Sequence, residues 1–152
     1  MEQRYLDHDN GVLTDSWTGL MWQESYAYAE TGSYMSWHEA NGYIARLNRD
    51  SLGGHSDWRL PSKLEMQSLY EPDHPFQSKG KTYALHIDPA FEIGYGSCFW
   101  TSKTRLSAAL GFEFDVGDMH WYPQASVSAT VRGVRLRMDP MKLLRFFPAP
   151  KP

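Results

Sequence analysis

Six histidines, at positions 8, 38, 55, 74, 86 and 120, and a single cysteine, Cys98, have the widest chemical reach in this 152-residue chain. A metal enzyme would gather such residues with carboxylates. No two of the histidines stand four apart, as a helical zinc site requires, and there is no Cys-x-x-Cys. Sequence spacing leaves open only a site assembled from distant parts. A Gly-x-Ser-x-Gly elbow for serine chemistry is absent, and Gly94-Tyr95-Gly96 is too short for a phosphate loop. Asp7, Asp9, Asn10 and Asp15 make an acidic cluster of the kind that holds a hard cation. It lacks the acidic twelfth position of an EF-hand, and its members read first as turn formers. No cofactor is called for, and calcium is kept as the one candidate ion. No His, Lys or Arg stands within four residues of Cys98 to lower its pKa, so it reads as a small buried hydrophobe beside Phe99 and Trp100.

Binding chemistry is better represented than catalytic chemistry. Around Gly117-Asp118, alternation puts His120 and Tyr122 on one side of a strand and Met119 and Trp121 on the other. Tyr122, Gln124, Ser126 and Ser128 then mix a large ring with small polar groups, the composition of antibody paratopes. Asp57-Trp58-Arg59 sets a ring to be buried between a carboxylate and a guanidinium that can tie loops together, with Asp88 or Arg135 as partners.

The elements that must position these residues follow from local signals. Strands are predicted at 4–6 and 12–14 around an Asn-Gly turn, and at Leu20 to Trp22. Residues 24–35 show no period and read as loop. Ser36 and Glu39 form a capping box, followed by an apolar stripe of Trp37, Ala40, Ile44 and Leu47. Gly53-Gly54 ends that helix. Trp58 and Leu60 alternate with charged neighbours, and Ser62 with Glu65 caps a second helix to about Tyr70, with Leu64 and Leu69 facing inward. Residues 71–86 read as a long polar loop in which His74, Lys79, Lys81 and His86 are candidate ligand contacts, and Asp88-Pro89 starts one short helical turn. Phe99 to Thr101 is a strand. Leu110, Phe112, Phe114 and Val116 alternate in another, joined by a two-residue loop at Gly117-Asp118 to a returning strand. A last strand covers 130–137. The sum is an α+β fold with two helices packed on a twisted antiparallel sheet and long loops. It gives one domain over 1–137 and an extended, proline-rich tail over 138–152 that suits a contact between copies of the chain.

Composition narrows the partners. The apolar fraction is 41% and the charged fraction 22%, as in ordinary globular domains. Aromatic residues reach 14%, with six Trp and nine Tyr, which suits either a recognition surface or a loop-rich domain that uses large rings to hold irregular backbone. Net charge is −3 and the only basic grouping is Arg132, Arg135 and Arg137, so general nucleic-acid binding is not expected. No run approaches the roughly 20 apolar residues of a membrane span, and the first nine residues lack the apolar core of a signal peptide.

Several motifs occur in a telling order: Gly-Leu-Met-Trp-Gln at 19–23, Trp37 through Asn48, Gly-Gly-His-Ser-Asp-Trp-Arg-Leu-Pro at 53–61, Ile87 to Phe91, Phe99 to Ser102 and Val-Arg-Gly-Val-Arg at 131–135. Together they resemble the bacterial Lcl C-terminal domain family, found at the end of a collagen-like adhesin. The resemblance implies a C-type-lectin-like fold, related to formylglycine-generating enzymes and to retroelement variable proteins. It implies a non-catalytic module that binds a glycan or a protein through its C-terminal hairpin. The ligand contacts carried over are Asp118, His120, Tyr122, Gln124 and Ser126, with Trp100 and Trp121 as sugar-stacking rings; Trp22, Asp57, Trp58, Arg59, Asp88 and Arg135 are structural. The adhesin likeness favours a sulfated polysaccharide, provided the three arginines share one face. Two alternatives remain: an assembly protein that forms homo-oligomers, and a metal-dependent enzyme on the related fold. That enzyme class uses a cysteine pair, which one cysteine does not supply. The resemblance also implies a structural cysteine pair at the positions of Ile44 and Gly133. Its loss removes the marker of an oxidising compartment, so a cytoplasmic location is plausible in a family that is often extracytoplasmic.

Overall fold

A computed structural model of the chain describes residues 3–73, 75–77, 84–92, 94 and 96–136. It is a mixed α/β arrangement of three α-helices and antiparallel sheets. Strands β1 (Tyr5–Asp7), β2 (Val12–Asp15), β3 (Leu20–Gln23) and β9 (Val134–Leu136) form one sheet in that order. Every residue of β2 and β3 is buried, as expected for inner strands covered on both faces. The sheet therefore joins an early hairpin to the last described strand.

Two capping boxes set the longer helices. In α2 (Trp37–Arg49) the Ser36 hydroxyl accepts from the Glu39 N–H at 3.1 Å and the Glu39 carboxylate accepts from the Ser36 N–H at 3.0 Å. Ala40, Tyr43, Ile44 and Leu47 make its buried stripe. In α3 (Lys63–Leu69), Ser62 and Glu65 repeat the device. The inward side of α3 is Met66 and Leu69; Leu64, expected to face inward, is 75% exposed because it lies off that i, i+3 line. The stretch read as loop contains a further helix, α1 (Ala27–Thr31), stopped by Gly32 in the left-handed region.

The long loop is also more ordered than expected. It carries a hairpin of β4 (Pro75–Gln77) and β5 (Ala84–His86). His86 packs against the Tyr70 ring at 5.4 Å, while His74, Lys79 and Lys81 lie outside the described residues. Asp88 forms a turn and no helix: its carboxylate accepts from the Ala90 N–H and its carbonyl from the Phe91 N–H.

The second main sheet is β6 (Cys98–Arg105), β7 (Ala108–Glu113) and β8 (Asp118–Pro123). Strand β7 stops at Glu113, and Glu113 pairs with Asp118 across a four-residue loop, so the two-residue turn is corrected. Phe114 is buried inside that loop and Val116 is 57% exposed. Gly117 is required there: its φ is +79°, and a Cβ would stand 2.6 Å from Tyr70 Cζ. The last strand is shorter than predicted because residues 129–134 stitch the layers together by single bridges. Ala129 pairs with Met35, Thr130 with Phe99 and Val134 with Arg59. Trp58 and Leu60 are buried as their alternation predicts, with Arg59 as the only residue of that stretch in a bridge. The core has two parts, one around Trp58, Trp100 and Tyr43, the other around Trp22, Phe99, Phe112 and Phe114. Among the described residues no helix is long and apolar enough to cross a membrane. The proposed tail, 138–152, and Arg137 lie outside them.

Candidate functional site

The β7–β8 hairpin places the expected contact residues by register. Tyr122 lies opposite Ala109, His120 opposite Gly111 and Asp118 opposite Glu113, so these share one face with Trp100, which lies opposite Gly111 on β6. Met119 and Trp121 share the other face with Phe112 and Leu110. Asp118 and His120 are exposed, and Trp121 is half-buried. The Arg105 guanidinium sits 4.3 Å from the Trp121 ring centre, a cation–π stack at the rim of the sheet. Strand β8 is the outer strand of this sheet, so His120 and Trp121 flank an edge that no other described strand covers.

Other expected contacts spend their polar groups inside the protein. The Tyr122 hydroxyl donates to Glu113 Oε1 at 2.7 Å, and its ring meets Trp100 edge-on at 6.0 Å. Burial, and then the bond to Glu113, push its phenol above the ordinary range. The Gln124 side-chain amide donates to the carbonyls of Leu106 and Ala108, pinning the β6–β7 turn. Ser126 Oγ bonds the Pro123 carbonyl and the Ser128 hydroxyl. Trp100 is fully buried and donates its indole N–H to the Met35 carbonyl at 2.9 Å. Its expected sugar-stacking role is thus corrected: the ring has no free face. Of the expected contacts, Asp118 and His120 stay open on one face of the hairpin and the Trp121–Arg105 stack on the other.

The structural residues meet as follows. The Trp58 N–H donates to Asn48 Oδ1 at 2.7 Å and its indole to the Leu52 carbonyl at 3.0 Å. Arg59 holds Glu65 through two bonds of 2.7 and 2.8 Å, linking this extended stretch to the cap of α3. Asp57 pairs with Arg135 at 2.6 Å, and that bond holds its carboxyl below the ordinary value. Of the two partners expected for this stretch, Arg135 is the one joined, while Asp88 turns back on its own loop. Trp22 is fully buried in the second core cluster.

Sequence reasoning missed the role of Arg132. It is buried, and its guanidinium donates to the carbonyls of Gln23, Glu24, Ser25 and Glu92. The rings of Tyr26, Phe91 and Phe99 surround it. Burial pulls its pKa down to about 10, so it stays charged at neutral pH. The only signal available was an arginine set in an apolar run. Arg132 is sequestered and Arg135 is buried against Asp57, so neither offers its charge to a polyanion, and these two do not meet the condition of a shared basic face.

The acidic N-terminal cluster is likewise divided. Asp7 accepts from the Asp9 N–H, forming a turn. Asp15 is fully buried and takes Arg4 through bonds of 2.9 and 2.7 Å. This removes Asp15 from any calcium shell. Among the described residues, no three His, Cys, Asp or Glu side chains stand together as a metal would need. Cys98 is buried, and desolvation pushes its thiol up to about 12.

The sequence profile of the Lcl C-terminal domain family matches residues 11–135. No curated protein matches the chain.

Proposed function

Because the chain belongs to the Lcl C-terminal domain family, we propose that it is a non-catalytic binding module on a C-type-lectin-like frame, recognising a glycan or a protein surface through its C-terminal hairpin. The lectin-like frame is supported by the antiparallel sheet that unites β1, β2 and β3 with β9, and by α2 packed in the core beside it. The observation that carries the binding reading is the outer strand β8, which presents exposed His120 on one face and the Trp121–Arg105 stack on the other, on either side of an edge that no other described strand covers. A half-buried ring stacked by a guanidinium offers contact area with few rotatable bonds to immobilise, which is how recognition surfaces use aromatic residues. The internal commitments of Tyr122, Gln124 and Ser126 make them the support of this surface. With Arg132 and Arg135 sequestered, Arg105 in the stack remains as a cation that this surface offers a glycan.

The test is a glycan array probed with wild type, His120→Ala and Trp121→Ala, in calcium and in chelator. The expected result is binding that both variants weaken at least about tenfold while their melting temperatures stay near wild type. Binding that survives in both would overturn the site. If no glycan binds, the protein arm is tested by pull-down from the organism's extract, where a double variant capturing the same proteins as wild type would overturn it too.

A further inference from the structure

The turn between β2 and β3 carries a feature the hairpin reading does not use. Trp17 is 76% exposed, while Trp22, Trp58 and Trp100 are buried. Exposing an indole forgoes a large burial term, so its place must come from the turn or from a partner. The turn itself is fixed without it. The Asp15 carboxylate accepts from the Trp17 N–H at 3.0 Å, the Gly19 N–H bonds the Asp15 carbonyl at 2.8 Å, and the Thr18 hydroxyl accepts from the Leu20 N–H. None of these bonds involves the Trp17 side chain.

The ring is nonetheless held in place. The Arg4 guanidinium lies 4.5 Å from its centre. That guanidinium is immobilised by Asp15, by Glu71 at 3.2 Å and by the Ser68 carbonyl at 2.9 Å. One face of Trp17 is thereby backed by a rigid cation. The ring borders an open groove of about 610 Å³ whose walls include Arg4, Thr18, Tyr70, Glu71 and Asp73. That volume falls within the roughly 300–1,000 Å³ of small-ligand sites.

We infer that this groove is a second binding site, for an uncharged saccharide stacked on Trp17. The weakly positive C–H face of a pyranose ring complements the negative face of an indole, the same quadrupole that attracts cations. The exposed Asp73 carboxylate supplies a hydrogen-bond acceptor for the sugar hydroxyls at the groove wall. Charge selects against acidic sugars. Arg4 is held by both Asp15 and Glu71, and the exposed Asp73 carboxylate on the groove wall repels an acidic group. The site lies on the β2–β3 turn and the segment after α3, so it stands or falls apart from the hairpin surface.

The experiment is saturation-transfer NMR on the whole chain with maltose, cellobiose, mannobiose and N,N′-diacetylchitobiose, and with a sulfated heparin disaccharide as the acidic probe. Wild type is expected to show transfer to at least one uncharged sugar and none to the sulfated one. Trp17→Ala, a substitution at an exposed turn, should lose that signal with an unchanged melting temperature, Trp17→Phe should keep part of it, and Asp73→Ala should weaken it severalfold. His120→Ala should leave it intact, which separates this site from the hairpin. No transfer to any uncharged sugar at 10 mM, wild-type transfer in both Trp17→Ala and Asp73→Ala, or preference for the sulfated probe would each overturn the inference.

Discussion

Ile44 Cδ1 lies 3.5 Å from the point where a Cβ on Gly133 would stand. These are the two positions at which the family resemblance implies a cysteine pair, and the fold does bring them together. Here an isoleucine side chain fills the space against a bare glycine backbone. Leu47 and Trp58 close the rest, at 3.0 and 3.4 Å from the same point. An apolar contact stands at the pair of positions where the resemblance implies a crosslink.

The first prediction follows from that contact. Ile44→Cys with Gly133→Cys should form a disulfide on mild oxidation, lowering the free thiols in denaturant from three to one. The oxidised form should gain about 2–4 kcal/mol, as bridges closing long loops do. Gly133→Ala alone should lose about 1–3 kcal/mol, because its methyl meets Leu47 too closely. Urea unfolding with and without reductant measures both, and three thiols that persist under oxidant would refute the pairing.

Arg132→Met should be among the most destabilising single changes. It removes this donor from the buried Gln23 carbonyl and from the part-buried carbonyls of Glu24, Ser25 and Glu92, of which Glu24 keeps the Glu92 N–H. The expected loss is about 3–5 kcal/mol, the range for removing one partner of a buried charged network. Arg132→Lys should recover only part of it, since an ammonium has three donors and no planar fork to spread over four acceptors. Denaturant midpoints of the three proteins rank the outcome.

Acid should weaken the fold through Asp15. Burial alone would raise its carboxyl, but the Arg4 hydrogen bonds and the Trp17 N–H outweigh burial and hold it below the ordinary value. A depressed carboxylate contributes stability above the unfolded pKa of about 3.9 and loses it as pH falls through the folded value. Asp57, lowered by Arg135, acts in the same direction. Asp15→Asn should therefore cost about 2–3 kcal/mol at pH 7, and the gap to wild type should narrow at pH 3. A gap that stays constant across that range would show that the charge of Asp15 is not what stabilises.

Cys98 should be silent in the native protein. Burial raises its thiol to about 12, so almost no thiolate exists at pH 7 and the sulfur is sterically shielded. A thiol-reactive dye should label it slowly in buffer and at once in urea. Rapid native labelling would reopen a redox role.

Local signals were legible in the sequence and distant ones were not. Both capping boxes could be read because donor and acceptor lie three residues apart. Trp58 and Leu60 were legible as a buried face because alternation is a property of the strand itself. Leu64 misled because a seven-residue helix gives too few apolar positions to fix the phase of its stripe. Helix α1 escaped notice because five residues carry no period; it is fixed by Gly32 and by packing of Tyr26 on Phe99. The candidate surface suffered most. Nothing near Gln124 in sequence shows that its amide is taken by the carbonyls of Leu106 and Ala108. Nor does the Val-Arg-Gly-Val-Arg run reveal that Arg132 finds its acceptors some hundred positions away, as in the bond to Gln23 that spans 109.

The sheet that pairs β3 with β9 has a kinetic consequence. Its closure includes a bond from the Gly133 N–H to the Gln23 side chain across 110 positions. Nearly the whole described chain must be looped before that contact forms, and loop entropy is lost before the contact rewards it. The two capped helices need only local contacts for their caps, while the sheet waits for a long-range search. Folding should then be slow for a domain of this size, in milliseconds to seconds, with the β3–β9 seam setting the rate.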